Sequence, residues 1–395
     1  MVPERLDFGI FLAPFHHLGD NPTLALRRDI ELISRLDELG YDEAWIGEHH
    51  SAGWEIIASP EVFMAAAGEN TTRIRLGTGV VSLPYHHPFH VADRIVLVDH
   101  LTRGRAMLGV GPGALPGDAS ILGLEATRQR DMMDEALGVI LQLLKGDEPV
   151  TYETDWFEMH DAQLQLRPYQ RPMMPVAVAS TISPAGMTTA GKHGAGVLSV
   201  ASYMEAGIAA LPTQWGYCEK AAAEAGQPAP DRRNWRIVAP IYLAETREEA
   251  IRDVEERILQ WSNEYFVVTA PGGLGRQPSE SGRQLIEQIN AFGGVIGTPE
   301  DAIEKIGKMM ELSGGFGCLL ALAHEWAPRE KVLHSYELLA RHVMPEFQGT
   351  TAWTKRSMGW TLENREALGS RTQQAITKAF EKEGIDLAEQ MRRRG

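Results

Sequence analysis

Cysteine is scarce in this sequence. There are two in 395 residues, Cys218 and Cys318, and neither lies in a C-x-x-C arrangement. That excludes a disulfide framework and a thiolate metal site, and it suits a reducing cytoplasm. Positive charge is also short: 38 Lys and Arg against 53 Asp and Glu give a formal net charge of −15. Neither nucleic acid nor an anionic membrane surface is therefore expected as a general partner, since both call for a basic face, and any anionic ligand must be held by local groups. An apolar run of about 18 residues, long enough to span a membrane, is missing. So are an export-type apolar leader, an internal repeat and a low-complexity tract. The expectation is a soluble, cytoplasmic protein.

What is present is apolar material for a large core, with 44% hydrophobic beside 23% charged residues, the balance of an ordinary soluble enzyme. Leu6 to Ala13 is an apolar run stopped by Pro14 and reads as a strand buried on both faces. Asn21-Pro22 then supplies a cap and a first helical residue, and Leu24, Leu26, Ile30, Ile33, Leu36 and Leu39 follow at helical spacing. Asp42 to Gly47 reads as a second strand, Ser59-Pro60-Glu61 opens a helix to Asn70, and Ile74 to Val81 is a third strand. A helix over His90 to Leu101, a strand over Ala106 to Gly111 and a helix over Thr127 to Lys145 complete four strand–helix units. Asp147 to Met174 then reads as a small antiparallel insertion, with alternation over Ala162 to Leu166. Val176 to Ala179, Gly196 to Val200, Ile237 to Leu243 and Gly317 to Leu322 supply the remaining strands. Eight strands with intervening helices predict an α/β protein built as a parallel TIM (β/α) barrel over residues 1–349, because parallel strands need crossover helices and a closed barrel leaves no edge. The glycine-punctuated stretch Val267 to Gly297 reads as a lid, and residues 350–395 as a polar C-terminal extension that wraps the barrel or a second subunit.

Active sites of such barrels lie at the carboxyl ends of the strands, which places Glu48, His49 and His50 on the catalytic face. One histidine there is a candidate for chemistry; the alternative is a hydrogen-bonded structural histidine beside a loop carboxylate. Three His-His pairs, His16-His17, His49-His50 and His86-His87, suggest a metal. Adjacent side chains on an extended strand point to opposite faces, however, so no pair can close on one ion, and no H-E-x-x-H helix is present. No metal is expected. In Pro175 to Gly186 a buried strand delivers Ser180, Thr181 and Ser183 and then a helix start capped by Ser183. Free N–H groups and the helix dipole make that an anion site, unless it is an ordinary Ser-Pro cap. Arg128 and Arg130, opening the helix after the fourth strand, are either its positive charge or solvated first-turn residues. Gly109-Val-Gly-Pro-Gly113 matches a dinucleotide fingerprint only superficially, since Pro116 and Gly117 precede any helix.

Phe8-Gly-Ile-Phe, Gly40-Tyr-Asp-Glu-Ala-Trp-Ile-Gly-Glu-His-His, Leu76-Gly-Thr-Gly-Val-Val-Ser-Leu-Pro and Leu101-Thr-Arg-Gly-Arg occur in the order and spacing of bacterial luciferase-like flavin monooxygenases. Over residues 6–345 the sequence resembles that family. Within it, Glu48-His-His-Ser-Ala-Gly-Trp-Glu, Leu83-Pro-Tyr-His-His-Pro and Gly109-Val-Gly-Pro-Gly-Ala-Leu-Pro resemble the limonene monooxygenases. The resemblance implies FMN at the carboxyl end of the barrel. Its ring would lie over Thr78, Gly79 and Val80, with a cis peptide at Gly79-Val80, and its phosphate would lie near Arg130, Ser180, Thr181, Ser183 and Gly186. It further implies oxygenation through a flavin hydroperoxide, with His49 managing the proton and Glu48 orienting or charging that ring. Phe11, Phe15, Trp54, Tyr85 and His87 would form the pocket for a small apolar substrate, a terpene-like alkene or a ketone. No NADH-binding motif is evident, so a separate NAD(P)H-dependent flavin reductase is the expected donor of reduced FMN, and a homodimer the expected assembly. Where luciferases carry an arginine and a reactive cysteine after the fourth strand, this chain has Pro112 and Gly111, so light emission is not implied. The rival readings are a deazaflavin-dependent hydride-transfer enzyme on the same barrel and a non-catalytic flavin-binding protein of this fold.

Overall fold

Eight strands alternate with helices along the chain and pair in sequence order. In a computed structural model that describes residues 4–13, 15–269 and 278–384, they are β1 (Asp7–Leu12), β2 (Glu43–Ile46), β3 (Arg75–Thr78), β4 (Ala106–Gly111), β5 (Val176–Ser180), β6 (Gly196–Ser199), β7 (Trp235–Ala239) and β8 (Cys318–Leu322). Each pairs in parallel with the next, β3 with β4 through Leu76 and Ala106, and β8 returns to β1 with Asp7 opposite Cys318, so the barrel closes. The helices that matter below are α1 (Pro22–Leu39), α2 (Pro60–Gly68), α3 (Pro88–Leu101), α4 (Pro116–Ile121), α5 (Gln129–Lys145), α6 (Ala185–His193), α7 (Glu205–Glu224) and α8 (Arg247–Gln260). Asn21 caps α1 by accepting from the Thr23 and Leu24 N–H groups, and Gly40, at φ 89°, ends it in the left-handed region where glycine carries no side-chain cost.

The barrel interior is filled from β2. Trp45 is fully buried, and a Cβ on Gly77 or Gly109 would stand 2.7 or 2.8 Å from its ring. Gly77 makes room for the indole, and Gly109 for both the indole and the Thr78 carbonyl, which a Cβ there would meet at 2.1 Å. Below it lies a buried ion cluster. Glu43 accepts from Arg236 Nε at 2.6 Å and Nη2 at 2.9 Å, from Trp45 Nε1 at 2.8 Å and from Arg75 Nη2 at 2.5 Å. The Arg236 guanidinium also lies 4.9 Å from the Trp45 ring centroid. This cluster sits at the amino end of the strands, the face that serves stability in such barrels.

One expectation about the strands needs correction. Ile237 to Leu243 is two strands: Pro240 has no N–H to donate, β7 stops at Ala239, and Ile241–Leu243 pairs instead with Val295–Gly297. The segment read as a lid carries regular structure in its described part. Helix α9 (Gly282–Ala291) buries Leu285, Ile286 and Ile289 at helical spacing, and Val295–Gly297 follows it into that pair. Residues 270–277, the middle of the expected lid, lie outside the described residues. The small antiparallel insertion expected within Asp147 to Met174 is a hairpin of Val150–Glu153 and Glu158–Ala162, which ends where the alternation at Ala162 to Leu166 begins.

The chain divides into two compact units, residues 1–348 and residues 349–395. The second unit contains helices Ala352–Glu363 and Arg365–Lys382, neither of which buries a residue.

Candidate active site

At the carboxyl end of β2 the chain keeps its strand-like alternation for three residues, so Glu48 and His50 share one side and His49 takes the other. Glu48 is fully buried. Its Oε2 accepts from the Ser82 N–H at 2.6 Å, and its Oε1 meets His50 Nε2 at 3.1 Å and His86 Nε2 at 2.5 Å. Burial opposes its ionisation, yet these bonds hold the carboxyl below the usual range. Among the described residues Glu48 makes no hydrogen bond to His49, because adjacent residues face apart, so it does not orient that ring; its charge still favours the His49 imidazolium.

Nor is the exclusion of a three-ligand cluster complete. It covered adjacent histidines, but Glu48, His50 and His86, taken from two different pairs, bring ligand atoms within 4.8 Å of one another. Arg94 Nη2 lies 3.4 Å from His86 Nδ1, and a guanidinium can only donate. His86 therefore carries its proton on Nε2 and gives it to Glu48, which makes the cluster a hydrogen-bond network.

His49 faces two other carboxylates. Its Nδ1 is 3.0 Å from Asp118 Oδ2, and its Nε2 is 3.5 Å from Glu55 Oε2. Asp118 comes from the first turn of α4. Its Oδ1 accepts from the His50 N–H at 3.1 Å and from Ser51 Oγ at 2.5 Å. The approach depends on Gly117, where a Cβ would stand 2.6 Å from Ser51 Oγ. Burial works against a charged imidazole, but the Glu55 charge and the Asp118 bond outweigh it and raise the His49 pKa. The same bonds hold Asp118 low despite burial. Glu55 is buried and accepts from the Tyr265 hydroxyl.

Around this histidine stands an aromatic wall. Phe15 packs against Trp261, Tyr265 and Phe266 with centroids at 5.4, 4.8 and 6.0 Å, and Trp54 lies 5.9 Å from Tyr265. Trp261 to Phe266 is π-helical, a form of helix that recurs at functional sites. Phe11, half-buried near the end of β1, pairs in register with Trp45 and Leu322. Tyr85 stands on the opposite side near His50, 5.8 Å between centroids, with its hydroxyl 3.5 Å from Gln129 Nε2. His87 does not join the wall: its Nδ1 caps α3 through the Phe89 N–H, and its Nε2 is directed to the Glu158 carbonyl of the hairpin.

The Gly79-Val80 peptide is cis, where the resemblance put it. Thr78 is different. Its hydroxyl donates to the Gly109 carbonyl at 2.6 Å and accepts from the Gly109 N–H at 2.9 Å, so its side chain ties β3 to β4.

At the end of β5 the Ser180 Oγ is buried and has no hydrogen-bond partner among the described residues. Helix α6 starts against it. A Cβ on Gly186 would stand 2.3 Å from the Ala179 carbonyl and 2.7 Å from Ser180 Cα, so only glycine lets the first turn come this close. Ser183 does not cap that helix: Pro184 holds the cap position and no side chain bonds there. The backbone N–H groups of the first turn thus have no capping side chain. Thr181 is exposed, and its carbonyl accepts from Gln214 Nε2 at 2.9 Å. Arg128 is paired with Asp155, whereas Arg130 has no carboxylate partner among the described residues. Arg130 lies one turn before Asp134, which holds α6 through His193 at 2.8 Å, and so shares the side of α5 that faces α6.

Sequence reasoning missed Asp118, Glu55 and Tyr265, and the pairing of His86 with Glu48. Asp118 had a visible signal, an acid just inside a Pro-opened helix after a strand; Tyr265 had none, being 210 residues from its partner.

The family model for the luciferase-like monooxygenases matches residues 6–315. A 4-hydroxyprotoasukamycin monooxygenase of Streptomyces nodosus subsp. asukaensis is 46% identical over 92% of this chain and 98% of its own. A limonene 1,2-monooxygenase of Rhodococcus erythropolis is 46% identical over 95% of each. Among solved structures, the oxygenating constituent of 3,6-diketocamphane monooxygenase from Pseudomonas putida, a type II Baeyer-Villiger enzyme in complex with FMN, superposes with a TM-score of 0.73 at 26% identity, covering 87% of this chain and 99% of its own. With that barrel, these relatives and this strand-end site, the chain belongs to the luciferase-like monooxygenase family.

Proposed function

We propose that this protein is the oxygenating component of a two-component flavin monooxygenase. It takes reduced FMN from a separate NAD(P)H-dependent flavin reductase and inserts one atom of O2 into a small apolar substrate, a terpene-like alkene or a ketone. The observation that carries the cofactor is the buried Ser180 hydroxyl, without a partner among the described residues, beside the uncapped start of α6, an anion cradle in a chain of net charge −15. A phosphate monoester fits it, with Arg130 on the facing side of α5 as counter-charge and Ser183 and Thr181 at its edge. When bound and reduced, FMN supplies the two electrons by which O2 gives one atom to the substrate and one to water.

The remaining work belongs to the chain. The backbone of Thr78, Gly79 and Val80 lies at the end of β3, where a ring can rest. His49, held by Asp118, handles the proton, and Phe15, Trp54 and Phe11 with the π-helical aromatics exclude water from the apolar substrate. Glu48 serves by fixing His50 and His86. A homodimer working in the cytoplasm completes the proposal.

Two relatives 46% identical over more than nine-tenths of the chain are named for monooxygenation, which favours oxygen chemistry over deazaflavin hydride transfer. The test is anaerobic titration with reduced FMN and with a reduced deazaflavin, followed by oxygen and a panel of cyclic alkenes and ketones. Tight binding of FMN and an oxygenated product are expected; deazaflavin binding alone would overturn the reading.

A further inference from the structure

His49 has one nitrogen committed and one exposed to charge without a hydrogen bond. Nδ1 bonds Asp118 at 3.0 Å, while Nε2 stands 3.5 Å from Glu55 Oε2, close enough for ion pairing but with no hydrogen bond formed. Glu55 is in turn fixed from behind by Tyr265, which donates its hydroxyl to the other carboxylate oxygen. Tyr265 belongs to the π-helical turn Trp261–Phe266 and is wedged between Phe15 and Trp54.

We propose that Glu55, locked by Tyr265, is a positioning residue that keeps His49 an imidazolium with its Nε2–H free to donate toward the reacting centre, so that the π-helical turn sets the protonation state of the catalytic histidine. The proposal rests on the reading of His49 as the proton-handling group. A carboxylate that accepted the Nε2 hydrogen fully would block donation; one held back by a second donor can charge the ring without capping it. Asp118 alone would fix the tautomer. The second carboxylate biases the ring toward the acid form, which suits delivery of a proton more than its removal.

The charged and titratable groups facing the ring are Asp118 from α4, Glu55 from the loop after β2, and Glu48 and His50 from its own segment, with Tyr265 behind Glu55. The Glu48 charge also favours the imidazolium, but less than Glu55 and Asp118, which makes those two the pair that acts most.

The test reads the protein without flavin. The ring carbon resonances of the 13 histidines are followed by NMR through pH, and His49 is assigned by its loss in His49→Gln. Glu55→Gln keeps the shape and removes the charge; Tyr265→Phe keeps the packing and removes the hydroxyl. The His49 midpoint should drop by about one unit or more in Glu55→Gln, the scale of losing an opposite charge within roughly 4–6 Å, and by a smaller amount in Tyr265→Phe. In the loaded enzyme the alkaline limb of turnover should move to lower pH by the same shifts. An unmoved midpoint in Glu55→Gln would overturn the proposal, and an unmoved one in Tyr265→Phe would overturn the tyrosine's part in it. Failure to oxygenate any substrate would instead refute the monooxygenase reading, because the titration needs neither flavin nor oxygen.

Discussion

Replacing Gly186 by alanine adds one methyl group at the start of α6. Its Cβ would meet the Ala179 carbonyl oxygen at 2.3 Å and Ser180 Cα at 2.7 Å, whereas ordinary contact begins at 3.4 Å. Both obstacles are backbone of β5, so the helix start must retreat by about 1 Å. Overpacking of this kind costs about 1–3 kcal/mol of stability. The effect on binding is separate. Helix-terminus contacts to an anion are worth up to about 2 kcal/mol in partly buried geometry, so a misplaced first turn should weaken reduced FMN about 10- to 30-fold, at about 1.4 kcal/mol per tenfold. Reduced riboflavin, which has no phosphate, should be nearly unaffected. Anaerobic calorimetry with the two flavins separates the terms, since a general loss of fold would weaken both. Equal weakening, or none, would refute the placement of the phosphate at Ser180 and α6.

His49→Gln should leave FMN affinity near wild type and lower oxygenation by about a hundredfold, the scale of losing a proton-transfer group; unchanged single-turnover product would remove that role. Glu43→Ala strands the buried Arg236 charge and should lower unfolding free energy by about 3–5 kcal/mol in a urea titration, with part recovered in Glu43→Ala/Arg236→Met. A deficit below about 1 kcal/mol would mean the cluster is hydrated. His16 is nearly enclosed, with Nε2 at 2.9 Å from Asp29 and Nδ1 at 3.5 Å from Glu325. Burial opposes its charge, but these carboxylates raise its pKa from 6.5 to about 9. Burial also raises Asp29, and the shared proton is placed on the ring because two carboxylates face it. The stabilisation, roughly 3 kcal/mol, is complete below pH 6.5 and lost as pH rises through about 9. The stability deficit of His16→Gln should therefore shrink across that window, and a pH-independent deficit would contradict the ion pair.

Periodicity carried most of the barrel, because apolar runs and helical stripes report burial directly, and Leu6 to Ala13 lies where it was expected; in α1 the helix is present but its buried face is Ala25, Asp29, Leu32, Ile33, Leu36 and Asp37, while Leu24 of the expected stripe is exposed. It failed where one residue changes the hydrogen-bonding capacity of the chain, as at Pro240, and where glycine punctuation hid the stripe Leu285, Ile286, Ile289. At the site, strand-end residues were legible through the fold class, and the close approach of α6 to β5 through Gly186. The partners of His49 were not. Asp118 is 69 residues away and arrives on a short helix, Glu55 reaches back over a loop, and no local pattern encodes such contacts. Alternation alone would have separated Glu48 from His49 had it been carried one residue past the strand.

The most direct measurement is a single turnover under oxygen-18 dioxygen in ordinary water. The protein is loaded anaerobically with reduced FMN and a cyclic terpene alkene, then exposed to the labelled gas, and the product is read by mass spectrometry. One labelled oxygen atom in the product, with about one product per flavin oxidised, is the result expected of a monooxygenase. Flavin oxidised to hydrogen peroxide with no labelled product from any alkene or ketone in the panel, or product carrying oxygen from water, would contradict it.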